Sequence, residues 1–107
     1  MPSEQFIIVL TTYPSDKDAD GLAATLVEER LAACVNILPP MKSIYAWKGA
    51  VERADERQLV IKTTTDRLDA LEARLRGLHP YEVPEFIVIP VEAGADYSSW
   101  LRESTRP

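Results

Sequence analysis

The sequence predicts an α+β domain in which helices cover one face of an antiparallel sheet. Three observations carry that expectation. Phe6-Ile7-Ile8-Val9-Leu10 and Phe86-Ile87-Val88-Ile89 are unbroken apolar runs with the β-branched and aromatic make-up of central strands. Between them lie two stretches whose apolar residues recur at three- and four-residue steps, as amphipathic helices require. Lys48-Gly49 then splits a long strand-forming segment into a hairpin.

The first run predicts a strand buried on both faces. Pro14-Ser15 punctuates the chain, and Ser15 with Asp18 has the spacing of a capping box. Ala19, Leu22, Ala23, Leu26, Arg30 and Ala33 then predict a helix from about Asp16 to about Ala32, with Gly21 a weak point. A second strand over Cys34–Leu38 is interrupted by Pro39-Pro40, which cannot donate to a ladder, and strand character resumes over Lys42–Trp47. After the Lys48-Gly49 turn, a third strand runs from Val51 to about Thr63. Thr65 caps a second helix with Leu68, Leu71, Leu75 and Leu78 on one face and a Glu72–Arg76 pair at helical spacing, ending near Gly77 before Pro80. Phe86–Ile89 forms the last strand, and Gly94 precedes a short helix around Tyr97–Arg102.

The order βαββαβ with a final helix implies two right-handed crossings, which set the two apolar runs side by side in the middle of the sheet. This is the ferredoxin-like arrangement, with a long central hairpin and a single domain over residues 1–107. A strand over 51–63 extends roughly 43 Å at about 3.3 Å per residue. A compact domain of this length is only about 34 Å across, so the hairpin should project beyond its own domain. It carries Ile44, Tyr45 and Trp47, and the second sheet face has no layer to cover it. Both features point to self-association.

Composition narrows the function. The 107 residues are 46% hydrophobic and 27% charged, with a net charge of −5, which suits a packed globule and argues against a nucleic-acid footprint. An RNA-recognition module with this strand order would carry stacking aromatics on its third strand, where this chain has Glu56-Arg57-Gln58-Leu59-Val60-Ile61-Lys62. One Cys and one His exclude an internal disulfide and a Cys-rich metal site within one chain, and a lone Cys suits a reducing compartment. The first apolar run is too short to span a bilayer and lacks a basic segment before it, so a cytoplasmic protein with no membrane partner is expected. Phosphate loops, nucleophile elbows and hydrolytic triads have no counterpart here, and Asp16, Asp18 and Asp20 lack the register of a calcium loop.

Four places could carry chemistry. Cys34 behaves as a small apolar residue unless a cation lowers its pKa, and Lys62 on the adjacent strand is the evident one. His79-Pro80-Tyr81-Glu82-Val83-Pro84-Glu85 is either a stiff connection with solvated side chains or a site wall presenting an imidazole, a phenol and carboxylates. Tyr45 and Trp47 at the hairpin tip read as interface anchors. Trp100 reads as core.

Glu29-Arg30-Leu31-Ala32-Ala33-Cys34-Val35-Asn36, Ser43-Ile44-Tyr45-Ala46-Trp47-Lys48-Gly49 with Lys62-Thr63, the His79–Glu85 segment, and Tyr97 to Trp100-Leu101 together resemble the CutA family of divalent-cation tolerance proteins along nearly the whole chain. The resemblance implies a ferredoxin-like subunit in a homotrimer whose hairpins pair between neighbours, similar to the nitrogen-regulatory signalling trimers. It also implies tolerance to copper and other divalent cations, copper or zinc binding in some members, and no catalytic activity. Residues matching the family pattern at the intersubunit cleft are Cys34, Trp47, Lys62, His79, Tyr81, Glu82 and Glu85. Two positions depart from some copper-binding relatives: Thr11 stands where those have Cys, and Leu78 where those have a second His. Both changes remove copper-favouring groups.

The leading expectation is a homotrimeric cytoplasmic protein of divalent-metal response, with His79 and Cys34 as metal ligands alongside Glu82 or Glu85. The main alternative is a small-molecule sensor without metal chemistry, in which Lys62 meets an anionic group while Tyr81 and Trp47 bound an apolar part. An enzyme using Glu82 or Glu85 as base, and a scaffold that recruits another protein, are lesser rivals.

Overall fold

The computed structural model describes residues 6–107. The chain runs β1 (Phe6–Pro14), α1 (Ala19–Glu28), β2 (Cys34–Ile37), β3 (Met41–Trp47), β4 (Ala50–Thr64), a 3-10 turn (Thr65–Arg67), α2 (Leu68–Leu78), β5 (Ile87–Val91) and α3 (Ala95–Thr105). The sheet is antiparallel, ordered β2-β4-β1-β5, with β3 pairing the far half of β4. The expected α+β arrangement is therefore present.

Strand alternation divides the sheet into two unlike faces. Ile7 and Val9 of β1, with Leu59 and Ile61 of β4, pack against Leu22 and Leu26 of α1 and Leu71 and Leu75 of α2. Each such side chain, fully buried, contributes about 1.5–3 kcal/mol. Phe6, Ile8 and Leu10 point the other way and are only half-buried, so β1 is covered on one face rather than two. The register sets Ile8 beside Ile89 and Leu10 beside both Val60 and Ile87, forming an apolar second face. Only one end of that face is covered. There α3 approaches with the Thr105 hydroxyl 3.2 Å from that of Thr64 and the Arg102 guanidinium 5.3 Å from the Phe6 ring.

Several boundaries move for identifiable reasons. α1 begins at Ala19 because Asp18, not Ser15, caps it: its carboxylate accepts the Gly21 N–H at 2.9 Å. A Cβ at position 21 would collide with that carboxylate, so Gly21 permits the cap rather than weakening the helix. α1 stops at Glu28, well before Ala32, since Arg30 adopts a left-handed conformation (φ 61°). Its guanidinium donates to the Glu103 and Arg106 carbonyls at the end of α3, a tertiary bond that a helical Arg30 would forgo. Thr65 opens a 3-10 turn instead of capping α2 directly. α2 passes through Gly77 and ends with His79 in extended backbone, as the following Pro80 requires. The Glu72–Arg76 pair forms, at 3.0 Å.

Two corrections bear on function. β5 adjoins β1 as expected but lies at the sheet edge, not in the middle, and it accommodates Pro90 as edge strands can. Its Ile87, Val88 and Ile89 remain exposed. Trp100 is not core: it is 45% exposed and leans on Tyr97 at a 5.3 Å ring separation.

The hairpin projects as anticipated. Lys48 and Gly49 both take positive φ (50° and 83°), closing a two-residue turn between Trp47 and Ala50. β1 pairs with β4 only from Glu56 onward, so the outer part of the hairpin has no third strand. The molecule extends 44 Å along its longest axis against 28 and 23 Å across. Ile44 and Val51 are 62% and 66% exposed.

Candidate functional site

The segment leaving α2 is fastened to the two central strands at three successive points. His79, 8% exposed, sits edge-on to Tyr13 and donates from Nε2 to the Thr12 carbonyl at 2.6 Å. Its Nδ1 accepts the Tyr81 N–H at 3.1 Å, which defines the tautomer and uses both ring nitrogens. Tyr81 then crosses to β4, where its hydroxyl donates to Glu56 Oε2 at 2.8 Å. Finally the Gln58 amide donates both to the Thr11 carbonyl (2.8 Å) and to Glu85 Oε2 (2.9 Å). Pro80 and Pro84 stiffen the backbone between these fastenings.

Burial, then the hydrogen bond and negative charge of Glu56, push the Tyr81 phenol far above its ordinary value. Tyr81 is thus a fixed donor, not a base. Glu56 was not among the residues singled out from sequence, yet it is 5% exposed and central to the site. Its burial depends on Tyr81 arriving from 25 residues away, so nothing within the polar run 51–57 marks it.

The fastened segment is the common wall of two hollows. The larger, about 750 Å³, opens toward the hairpin and is lined there by Ser43, Tyr45, Trp47 and Glu56, and across from them by Tyr81, Glu82 and Glu85. By register, Ser43, Tyr45 and Trp47 of β3 and Glu56 of β4 share the face that carries Val60 and Lys62. The hollow and the apolar second face are therefore continuous. The smaller, about 290 Å³, lies on the α2 side, with Thr11 in its lining. The Thr11 hydroxyl is buried and has no hydrogen-bond partner among the described residues.

The residues expected at the site divide into three groups. Trp47, Tyr81, Glu82 and Glu85 come together around the larger hollow. His79 stands behind the wall, in the lining of the smaller hollow. Cys34 and Lys62 face each other across β2 and β4, where neither lines a hollow described above; the Cys34 thiol is 3.9 Å from the Asn36 side-chain oxygen. Lys62 is four residues along β4 from Gln58, the partner of Thr12, a distance of about 13 Å. One chain thus keeps Cys34 and His79 apart. A copper or zinc ion on His79 would have to displace either the Tyr81 N–H or the Thr12 carbonyl, so the His79–Cys34 pair of a single chain does not fit a metal centre.

A model of the CutA1 divalent ion tolerance protein family matches residues 7–104. The chain belongs to this family. It is 50% identical over 99 residues to the divalent-cation tolerance protein CutA of Thermus thermophilus, covering 92% of this chain and 96% of that one. It is 43% identical over 101 residues to the chloroplastic protein CutA 1 of rice, covering 94% of this chain and 57% of the rice protein. Among solved structures, the Thermus thermophilus divalent cation tolerance protein superposes with a TM-score of 0.88 at 48% identity, over 96% of this chain and 99% of that one. The CutA1 family assignment agrees with the resemblance in the sequence and covers the fastened segment and both hollows.

Proposed function

We propose that this CutA1-family chain works as a cytoplasmic homotrimer in the response to divalent cations, copper among them, and that it binds a metal ion or small ligand in the larger hollow where neighbouring copies meet. The observation that carries this reading is the position of the hollow. It lies on the sheet face that α3 covers at the other end only, between a projecting hairpin and a rigid wall. The hairpin and the second face are different patches, so a contact between them in neighbouring copies is head-to-tail, the kind that gives a closed ring when the rotation between copies closes. The ring size of three rests on the family resemblance. The site is one of binding, with no catalytic role assigned to its carboxylates.

Sedimentation at micromolar concentration tests the assembly: a species of roughly 36 kDa is expected from a 12.0 kDa chain, and a clean 12.0 kDa species would overturn it. Calorimetric titration with copper and zinc, on wild type and His79→Ala, tests the metal. Micromolar binding that the variant loses would make His79 a ligand through rearrangement of the segment. Equal millimolar binding by both would remove metal binding at His79.

The second reading, a small-molecule sensor similar to the nitrogen-regulatory trimers, is favoured by the same hollow: about 750 Å³ is space for an organic ligand rather than one ion. Stabilisation by a metabolite in the presence of a chelator would select it.

A further inference from the structure

The larger hollow has a chemical character that the roles considered so far leave unused. Its lining includes the rings of Tyr45, Trp47 and Tyr81 and the carboxylates of Glu56, Glu82 and Glu85, and it includes no Lys, Arg or His among the described residues. Glu56 is the informative member. It is 5% exposed, accepts one hydrogen bond, from the Tyr81 hydroxyl, and takes part in no ion pair among the described residues. A buried carboxylate lacking a cation is costly unless something supplies the opposite charge. The cation expected at the cleft from sequence, Lys62, does not line this hollow in its own chain.

The rings say what kind of charge fits. Aromatic faces attract cations through their quadrupole, and they do so best when the cation is large, weakly hydrated and able to touch the ring. Trp47 already shows this tendency, with the Lys48 ammonium 5.6 Å from its ring centre. A bare or hydrated metal ion would leave most of about 750 Å³ unfilled and would gain little from three rings. An anion would meet three carboxylates with no positive partner from its own chain among the described residues of the lining.

We propose that the hollow binds a small organic ammonium ion, its charge facing Glu56 and its alkyl groups against Tyr45, Trp47 and Tyr81. The inference rests on the reading of this hollow as the ligand site and assigns the ligand's chemical class. Glu56 is its counter-ion. Tyr81 holds one Glu56 oxygen in place, and Glu82 and Glu85 add negative potential at the rim.

The test is a titration of the assembled protein with tetramethylammonium chloride, followed by fluorescence of Trp47 in a Trp100→Phe background. Sodium chloride at equal ionic strength, tert-butanol as the neutral isostere and inorganic phosphate are run in parallel. Saturable binding of tetramethylammonium at least tenfold tighter than that of tert-butanol is expected. Glu56→Gln, which keeps the shape and can still accept from Tyr81, should weaken it about tenfold or more. Glu82→Gln, an exposed change with no bearing on folding, should weaken it two- to threefold.

Equal binding of tert-butanol, or an affinity unmoved by Glu56→Gln, would overturn the proposal. If a trimer forms and phosphate binds in place of tetramethylammonium, the ammonium assignment fails while the ligand cleft stands. If no assembly forms and no probe binds, the cleft itself fails. If Glu56→Gln alters only the trimer's dissociation, the counter-charge belongs to a neighbouring copy, and the proposal is likewise overturned.

Discussion

The two halves of β4 are one continuous strand with opposite surroundings. In the inner half, Leu59, Ile61 and Thr63 are each 0% exposed, on the face of the sheet that α1 and α2 cover. In the outer half, Val51 is 66% exposed, and the strand has only β3 beside it. The inner half makes the subunit. The outer half carries apolar residues that contribute nothing to the subunit's own core, which is the pattern of a surface shaped for another chain. The larger hollow lies where the halves meet, at Glu56, the first residue of β4 that pairs with β1 and the last that pairs with β3.

That contrast can be broken from either side, and the largest effect belongs to the inner half. Leu71→Ala, on α2 and packed against that half, removes a fully buried side chain and should cost about 2–5 kcal/mol in urea unfolding, whereas Val51→Ala should stay within about 0.5 kcal/mol for a single chain. Comparable losses from both would show that the hairpin supports its own domain. Next comes Trp47→Asp, which sets a charge among the tip's apolar residues. It should shift the sedimenting species toward 12.0 kDa while far-UV dichroism stays unchanged, and an unaltered assembly would remove Trp47 from the interface.

The junction between the halves should respond to pH. Tyr81 has a folded-state pKa raised above its ordinary 10.0, so its contribution to stability is complete below about pH 10 and is lost progressively as pH rises from there toward the higher folded-state value. Wild type should lose thermal stability from about pH 10 upward more steeply than Tyr81→Phe, which lacks the ionising hydroxyl. Parallel melting curves would detach Tyr81 from the stability of the wall. Smallest of all is Arg74→Ala. Its paired nitrogens lie 2.9 Å from the Glu29 carboxylate and lower the Glu29 pKa, but both groups are exposed, and the melting temperature should stay within experimental error.

The inner half was largely legible in the sequence, and the outer half only in outline. The alternate residues Ile7 and Val9 of the first run and the leucine face of α2 declare their burial locally, because neighbours in sequence share one environment, whereas the equally apolar run at Phe86 leaves Ile87, Val88 and Ile89 exposed. The length of β4 and the Lys48-Gly49 turn were equally local, and the projecting hairpin followed from them. What stayed hidden depends on residues far apart in the chain. Arg30 ends α1 because α3 offers it two carbonyls, and Glu56 is buried because Tyr81 reaches it. Trp100 looks like core by composition, but α3 turns it outward. Of the site, Tyr81, Glu82, Glu85 and Trp47 were found through the rigid segment and the tip. Cys34 and Lys62, expected at a cleft between copies, pair across β2 and β4 and do not line the larger hollow of their own chain.

Pro90 gives the free border of the sheet one further property. β5 is short, apolar and open along one side, the kind of border on which stray chains add strand upon strand. Proline has no amide hydrogen, so at position 90 the backbone has no donor for an incoming strand. The chain therefore presents a sticky but poorly templating rim, which favours side-chain contacts over open-ended growth into fibres.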